Sequence, residues 1–518
     1  MLDAASLGHD MIRLLKVSTA LLLLSAMAIV LARIIFAIPA VEGRLDDVAL
    51  PPPQSGPLAD RAARNLPGKT GIAALGWGAD AFAARILLAD AAVSSIDAQY
   101  YIWHGDLTGS LLLDALRRAA DRGVRVRLLL DDNGTSGLDA EIAQLDAHEN
   151  AEVRLYNPFN LRRFKMLSFT FDFFRLNRRM HNKSFTVDGL ATIVGGRNVG
   201  DEYFGIGATP LFVDLDVLAV GKIVAEVAAD FDRYWASPSV HLAGPIVGTT
   251  NGDPISERLT RWRDDPRFRE YKEILKASNL IAPLSNGTLE LEWTDAVLVS
   301  DDPVKGQGAV PREDLLAGQL ARKVGTIERR FDGVSAYFVP GKAGVDAFAK
   351  LEAQGVQVRM LTNSLEATDV LPVHAGYAKR REAMLASGVD LFELRRMATP
   401  ETPDDLGIFG SSGASLHAKT FAVDGERIFI GSFNFDPRSN QLNTEMGLLI
   451  DSETLATGLH AAFDDGFRGL AWQVEEQNGK LAWVDPATGS VTTEEPGSST
   501  FRNLALTVVG WLPVEWLL

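Results

Sequence analysis

The sequence predicts an α/β protein of two duplicated lobes, each a mixed β-sheet flanked by helices, behind an N-terminal transmembrane helix. Three observations predict it. One string, H-x-K-x-F-x-V-D-G, occurs at residues 181–189 and again at 417–425, with its histidines 236 residues apart. That spacing is far too wide for a solenoid period and marks two repeated lobes. Each copy follows a strand–helix–strand pattern by a similar distance, and an apolar run near the N-terminus is long enough to cross a bilayer.

The elements follow in chain order. Arg13 and Lys16 precede an apolar or small-residue run over 17–32, then Arg33 and residues 34–39. At ~1.5 Å per residue, 13–39 spans a ~30 Å hydrocarbon layer. The alternative is a cleaved signal peptide, for which Ala37-Ile38-Pro39-Ala40 is a mediocre site. Arg13 and Lys16 place the short end in the cytoplasm and the body on the periplasmic side of a bacterial inner membrane. We divide the chain into an anchor (1–40), a Pro-rich linker with Pro51-Pro52-Pro53 (41–70), a first lobe (71–250), a second lobe (251–480) and an interfacial C-terminal segment (481–518) with Trp511, Pro513 and Trp516.

In the first lobe a helix is expected over 79–92 and a strand over 95–101. An amphipathic helix over 108–122 carries Leu111, Leu112, Leu113, Leu116 and Ala119, Gly123 ends it, and a strand over 124–130 follows. Asp131-Asp132-Asn133-Gly134 is expected to turn away. Such a unit makes a parallel pair with a right-handed crossover. The second lobe repeats it with a strand over 333–339, a helix over 343–354, Gly355 and a strand over 356–361.

Each repeated string reads as a strand, an Asp-Gly hairpin turn and a second strand, over 190–194 and 426–430. Alternation on a strand projects His181 with Lys183, and His417 with Lys419. Asn198 and Asn434 each follow their histidine by 17 residues, in Gly195-Gly196-Arg197-Asn198 and Gly431-Ser432-Phe433-Asn434. Two imidazoles, two ammonium groups and two amides suit a phosphodiester. One imidazole attacks phosphorus, and the other protonates the leaving alcohol and deprotonates the incoming one. Lys183, Lys419, Asn198, Asn434 and Ser432 would hold the phosphoryl oxygens. No metal or other cofactor is called for; a two-histidine zinc site is the rival, disfavoured by a lysine two residues from each histidine. To orient the histidines, Glu445 is assigned behind His417, and Asp214 or Asp216 behind His181. Asp188 and Asp424 are placed with the catalytic residues of the motif, with a structural hairpin role as the alternative.

A net charge of −16 argues against a broad nucleic-acid grip, and the absence of cysteine removes thiolate and disulfide chemistry. The stretch 162–179 sets Arg162, Arg163, Lys165, Arg175, Arg178 and Arg179 among Phe164, Phe169, Phe171, Phe173 and Phe174. It suits an anionic lipid surface; the alternative is a core strand with a solvated basic flank. Arg162, Arg163, Phe164, Phe169, Phe173, Phe174, Arg178 and Arg179 are the lipid-contact candidates. His104 is placed at the entrance or in a structural role. His374 is read as a loop histidine, followed by Lys379, Arg380 and Arg381 as a lipid-phosphate or plain helix-start cluster.

Both strings resemble the H-x-K-x4-D motif of the phospholipase D superfamily, and the G-G-x-N and G-S-x-N elements and Glu445 extend the resemblance from about residue 71 to 474. The stretches 97–109, 128–139, 178–189, 431–445 and 511–518 are similar to bacterial cardiolipin synthases of the C type. The resemblance implies a two-lobed α/β sandwich and a phosphohistidine intermediate, with His181 as nucleophile and His417 as acid/base. It implies transfer of a phosphatidyl group from phosphatidylethanolamine or phosphatidylglycerol to phosphatidylglycerol. The alternatives are a phospholipase D hydrolysing headgroups, a phosphodiesterase or nuclease, and an inactive lipid-binding scaffold. The expected partners are phospholipids and the membrane, not nucleic acid. Neither an auxiliary protein nor the oligomeric state is written in these residues.

Overall fold

The computed structural model describes residues 4–41, 44–45, 47–206, 211–276, 278–396, 415–511 and 515–518. Pro513 lies outside them. In the first half the strands are β1 (Thr70–Leu75), β2 (Ser95–Ile102), β3 (Arg125–Gly134), β4 (Ala151–Tyr156), β5 (Ser184–Val187), β6 (Ala191–Gly195), β7 (Phe212–Val213), β8 (Asp216–Gly221), β9 (Val240–Leu242) and β10 (Glu292–Thr294). The second half adds β11 (Ala296–Ser300), β12 (Arg330–Ser335), β13 (Gln357–Asn363), β14 (Asp390–Leu394), β15 (Ser415–Leu416), β16 (Lys419–Val423), β17 (Arg427–Gly431), β18 (Met446–Ile450), β19 (Ala471–Gln477), β20 (Lys480–Val484) and β21 (Val491–Thr492).

Two large mixed sheets result, ordered β10-β1-β8-β6-β5-β2-β3-β4-β9 and β11-β18-β17-β16-β12-β13-β14-β19-β20-β21. Within each, one run of three strands is parallel (β2, β3, β4; β12, β13, β14) and the neighbouring motif hairpin is antiparallel. Each run begins with an expected crossover, β2 to β3 and β12 to β13, and β4 and β14 extend it. The helix Leu107–Asp121 is capped by the Asp106 carboxylate, which accepts from Gly109 N–H, and Gly123 leaves it at φ 88°. Leu112, Leu113, Leu116 and Ala119 are its buried face. The helix Gly341–Ala353 occupies the same place in the second lobe.

The sheets face each other across one apolar layer holding Val194, Val217, Ala219, Ala422, Ile428, Ile430 and Leu448. Each Val, Ile or Leu buried there contributes about 1.5–3 kcal/mol over exposure. The first sheet's outer face packs on the helices Gly78–Ala91 and Leu107–Asp121.

Both hairpins turn through Asp-Gly pairs with positive φ, 54° and 62° at Asp188 and Gly189, 55° and 78° at Asp424 and Gly425. Left-handed turns of this kind match the strand twist. The Asp188 carboxylate accepts from the backbone N–H groups of Val93, Ser94 and Ser95, the last two at 2.8 and 2.9 Å, where β2 begins. Asp424 does the same for Glu328, Arg329 and Arg330 before β12. Six residues, at ~3.3 Å each along an extended chain, separate such an aspartate from its histidine. Asp188 and Asp424 are therefore clamps of the fold, which corrects their placement among the reacting groups.

Other expectations shift. β3 continues through Gly134, because a register shift between Tyr100 and Ile102 lets it keep pairing. β12 ends at Ser335, short of 339. The join at 250 moves: β10 pairs with β1, so the first sheet reaches Thr294, and Trp262 and Phe268 pack on the first core. The linker is strapped down rather than free, with Arg44 donating to the Ser237 and Val240 carbonyls. His374 is buried in the helix Leu371–Ala378, where its Nε2 lies 2.8 Å from Glu495, and Arg381 is buried between Glu393 and Glu495. Neither serves a lipid phosphate.

The helix Ala4–Ile35 stands off the body; its span Met11–Ile35 is long and apolar enough to cross a membrane, the one such helix among the described residues. Its end touches the body, where Arg33 Nη2 lies 3.0 Å from Asp172 and Phe36 packs on Phe171 at 6.1 Å between ring centroids.

Asp188→Ala removes a charged acceptor from three backbone N–H groups, one of them buried, so we expect a loss of about 2–3 kcal/mol in stability, read from denaturant melts, with the folded fraction still active.

Candidate active site

The two histidines enter on backbone that pairs across the lobes. His181 N–H donates to the Thr444 carbonyl at 2.9 Å, and Thr444 N–H to the Arg179 carbonyl at 2.9 Å. In mirror fashion β15 runs parallel to β7, and His417 N–H donates to the Val213 carbonyl at 2.8 Å. The residue after each acceptor is an acid. Glu445 follows Thr444, and its Oε2 lies 2.8 Å from His181 Nδ1; Asp214 follows Val213, and its Oδ2 lies 2.6 Å from His417 Nδ1. Each histidine thus takes its acid from the opposite lobe. This reverses the expected within-lobe pairs, Glu445 with His417 and Asp214 or Asp216 with His181, because the deciding contacts are between lobes. Asp216 instead pairs with Arg85 at 2.9 Å and lies 3.6 Å from Arg197.

Carboxylate acceptors assign the proton of each ring to Nδ1 and leave Nε2 with its lone pair. Burial, then the charges of Lys183 and Lys419, hold His181 well below the usual histidine range. Burial and Lys419 bring His417 down to about 4, against the pull of Asp214. Burial opposes ionisation of Asp214 too, but the His417 contact and Lys419 hold it at about 2. Glu445 behaves differently: burial pushes it up to about 7, although Lys183 and the Ser432 hydroxyl favour its charge. Both lysines are buried. Lys183 Nζ donates to the His181 carbonyl at 2.5 Å and Lys419 Nζ to the His417 carbonyl. Burial lowers Lys183 to about 7 and moves Lys419 in the same direction.

Tyrosines wall the site. Tyr101 meets the His181 ring edge-on at 5.0 Å, and Tyr203 meets His417 at 5.1 Å. Lys183 Nζ lies 5.8 Å from the Tyr101 ring and Lys419 Nζ 5.9 Å from that of Tyr337. Sequence reasoning passed over Tyr203 and Tyr337. A signal existed, since Tyr101 and Tyr337 each precede their histidine by 80 residues.

The proposed phosphate ligands are partly engaged elsewhere. Asn198 Oδ1 accepts from Ile102 N–H at 3.1 Å and its amide donates to the Tyr203 hydroxyl at 3.0 Å; Asn434 Oδ1 accepts from Tyr337 N–H at 3.3 Å. Both asparagines fasten the strand ends that carry the wall. Ser432 Oγ donates to Glu445 Oε2 at 2.5 Å and accepts from Met446 N–H, so it holds the acid rather than a phosphate. The first lobe has Gly196 there, and a Cβ would collide with the Asp214 carboxylate. Asp with Gly and Glu with Ser are matched pairs.

The 162–179 stretch is a 3-10 turn (Lys165–Ser168) and a helix (Phe169–Leu176), not a strand. Most of its arginines are engaged. Arg162 pairs with Asp132 and Asp139, Arg179 with Asp131 at 2.9 Å, and Arg178 donates to the Lys305 carbonyl at 2.9 Å. Arg162 and Arg179 face the protein because Asp131 and Asp132 of β3 and Asp139 beyond it lie beneath them, and Arg178 because it is held by the Lys305 carbonyl, which corrects the assignment of all three to lipid. Phe169 packs on Phe159 at 5.6 Å. Most of what reaches solvent is apolar: Phe164, Met166, Leu167, Phe173 and Phe174, with Met166 and Phe174 each 74% exposed. Arg163 is exposed beside Phe164. Near the first-lobe wall, His104 Nδ1 lies 3.0 Å from Glu202, and that bond raises the His104 pKa.

Duplicated lobes, a histidine from each meeting the other's acid, and a lysine beside each histidine define an enzyme class that works on phosphodiesters. Comparison with known proteins narrows it. The family model described as "Cardiolipin synthase, PLD-like domain" matches residues 86–235 and 324–466. Cardiolipin synthase C of Escherichia coli (strain K12) is 48% identical over 87% of this chain and 97% of its own length. A cardiolipin synthase of Staphylococcus aureus (strain N315) is 25% identical over 72% of this chain and 62% of its own. The crystal structure of phosphatidylserine synthase from Haemophilus influenzae Rd KW20 shares the fold, with a TM-score of 0.56 and 16% identity over 89% of this chain and 99% of its own. The chain belongs to the PLD-like cardiolipin synthase family.

Asp214→Asn offers an amide where His417 needs an acceptor, and we expect turnover to fall on the order of 10⁴-fold with the fold intact. In ring-nitrogen NMR, Asp214→Asn should move the His417 signals and Glu445→Gln those of His181; the reverse would contradict the crossed pairing.

Proposed function

We propose that this enzyme transfers a phosphatidyl group from a donor phospholipid, phosphatidylethanolamine or phosphatidylglycerol, to the headgroup hydroxyl of phosphatidylglycerol, making cardiolipin through a phosphohistidine. One observation carries the reading: two histidines, each with Nδ1 on an acid of the opposite lobe, beside two buried lysines, in a chain of this family.

In the first half-reaction Nε2 of His181 attacks phosphorus. The P–N bond forms, the P–O bond to the donor headgroup breaks, and the departing alkoxide takes the Nε2 proton of His417. In the second, the acceptor hydroxyl of phosphatidylglycerol gives its proton to His417 and its oxygen attacks phosphorus, releasing His181. Glu445 and Asp214 hold the Nδ1 protons throughout, so each ring keeps one tautomer while Nε2 reacts. Lys183 and Lys419 supply positive charge to the non-bridging oxygens. The incoming phosphodiester monoanion favours their charged forms and that of His417, offsetting the burial that lowers all three. An alcohol rather than water as acceptor gives transfer; water would give phosphatidic acid.

Membrane supply fits the surface. The exposed Phe164, Met166, Leu167, Phe173 and Phe174, with Arg163, form a lipid-facing lip beside the anchor's end. The helix Thr500–Trp511 exposes Phe501, Leu504 and Val508, spaced for one face. Arg438 ties the two regions, donating to the Leu517 carbonyl at 2.8 Å and to Asn177 at the end of the lip helix. Arg13 and Lys16 favour a single anchor in the bacterial inner membrane with the body on the periplasmic side. The net charge of −16 disfavours a nucleic-acid substrate.

The test is full-length enzyme with vesicles of defined phosphatidylethanolamine and phosphatidylglycerol. We expect cardiolipin together with free ethanolamine or glycerol, no turnover by His181→Ala, and an acid-labile lipid adduct on His181 of wild-type enzyme quenched during turnover. Phosphatidic acid without cardiolipin selects hydrolysis instead, and unchanged turnover in His181→Ala sinks the mechanism.

A further inference from the structure

The two acids are backed by different groups, and one repeat position makes the difference. Behind Asp214 stands Arg197, 1% exposed, whose Nη2 donates to the Asp214 carbonyl at 2.5 Å. The same position in the second lobe is Phe433, which gives Glu445 no counterpart of Arg197. A cation reaches Glu445's surroundings from elsewhere. Lys305 lies in the turn Pro303–Gly306 after β11. In the first lobe the helix Gly78–Ala91 begins three residues after β1, leaving no room for such a turn.

Lys305 is 1% exposed; its Nζ lies 2.7 Å from Asp301 Oδ2 and donates to the Ser439 carbonyl at 2.9 Å. Asp301 grips Glu445 by both backbone groups. Its Oδ2 accepts from Glu445 N–H at 3.0 Å, and its own N–H donates to the Glu445 carbonyl at 2.9 Å. The other oxygen of Asp301 accepts from Leu316 N–H at 2.8 Å. Around the Glu445 carboxyl stand His181 and Lys183 of the first motif, Lys419 of the second, Ser432 just past β17, and Asp436 and Ser439 at the start of the helix Pro437–Gln441, besides Asp301 and Lys305. Glu445, Asp301 and Asp436 are thus three buried carboxyl groups among three buried ammonium groups, Lys183, Lys419 and Lys305. Removing one cation from such a set favours protonation of the acids that remain.

We propose that Lys305 is a positioning residue for the His181–Glu445 pair: through Asp301 and Ser439 it fixes the Glu445 backbone, and its charge keeps the Glu445 carboxylate available to the His181 Nδ1 proton. The proposal rests on the reading of His181 as a reacting group. Glu445 is where such help matters, since burial already carries it up to about 7 while Asp214 stays near 2. Asp301 is also raised by burial, to about 6, with Lys305 pulling the other way. The raised pKa of Glu445 means that its carboxylate is lost as pH falls through about 7, and with it the acceptor for His181.

The experiment is the pH profile of kcat for full-length enzyme in vesicles, for Lys305→Met, Lys305→Arg and Asp301→Asn. Lys305→Met should move the acid limb upward by about one pH unit, a tenfold loss on its acid side, and Lys305→Arg should restore it. Asp301→Asn keeps an oxygen for Glu445 N–H but removes a negative charge, so its limb should move downward. A lowered Tm with an unmoved limb in all three variants overturns the proposal, as does a shift of the same sign in Lys305→Met and Asp301→Asn. If Lys305→Met fails to fold, the sign of the Asp301→Asn shift decides. Wild-type enzyme that turns over no phospholipid would instead overturn the reading beneath.

Discussion

Everything at the centre depends on one constraint: each histidine must find its acid in the other lobe. The backbone arranges this before the side chains do. Two short parallel pairings, β7 with β15 and Met180 with Thr444, lay each acid-bearing segment along the approach to the opposite histidine. The apolar layer between the sheets holds those pairings in register, and the Asp-Gly hairpins hold the strands that deliver the lysines. A shift of one residue at either pairing would turn the acid away, because alternate residues point to opposite faces. Neither lobe contains a complete site, so stability of the inter-sheet layer and the chemistry of the cleft are one problem.

Much of this was legible in the residues. The repeat predicted two lobes, and the strand–helix–strand units predicted the parallel pairs β2–β3 and β12–β13, since apolar periodicity and Gly123 or Gly355 are local signals; β4 and β14, which extend each run, were not foreseen. His181, Lys183, His417 and Lys419 converge as alternation demands. What escaped was non-local. Glu445 and Asp214 were recognised as acids but given to the wrong histidines, because spacing within a lobe carries no information about pairing between lobes. Asp188 and Asp424 stand in the motif, yet their partners are N–H groups some 95 residues earlier in the chain. The arginines of the 162–179 stretch looked free because Asp131, Asp132 and Asp139, which engage Arg179 and Arg162, lie in another stretch of sequence.

Fusion of the halves in one chain has let them diverge where a symmetric pair could not. Ser432 faces Glu445, whereas Gly196 makes room for Asp214; Arg197 backs one acid, and Phe433 fills that place in the other lobe. One acid is therefore firmly ionised and the other sits near neutrality. The dyads share geometry but not proton affinity.

The contact of Arg33 with Asp172 and of Phe36 with Phe171 bears on how the body rides above the bilayer. A half-exposed ion pair is worth about 0–1 kcal/mol and an aromatic pair about 0.5–1.5 kcal/mol, together near the ~1.4 kcal/mol that makes a tenfold preference. The body is thus tethered at a preferred height rather than welded there. It rests on the end of its own stalk most of the time and can tip away and settle again without the cleft coming apart.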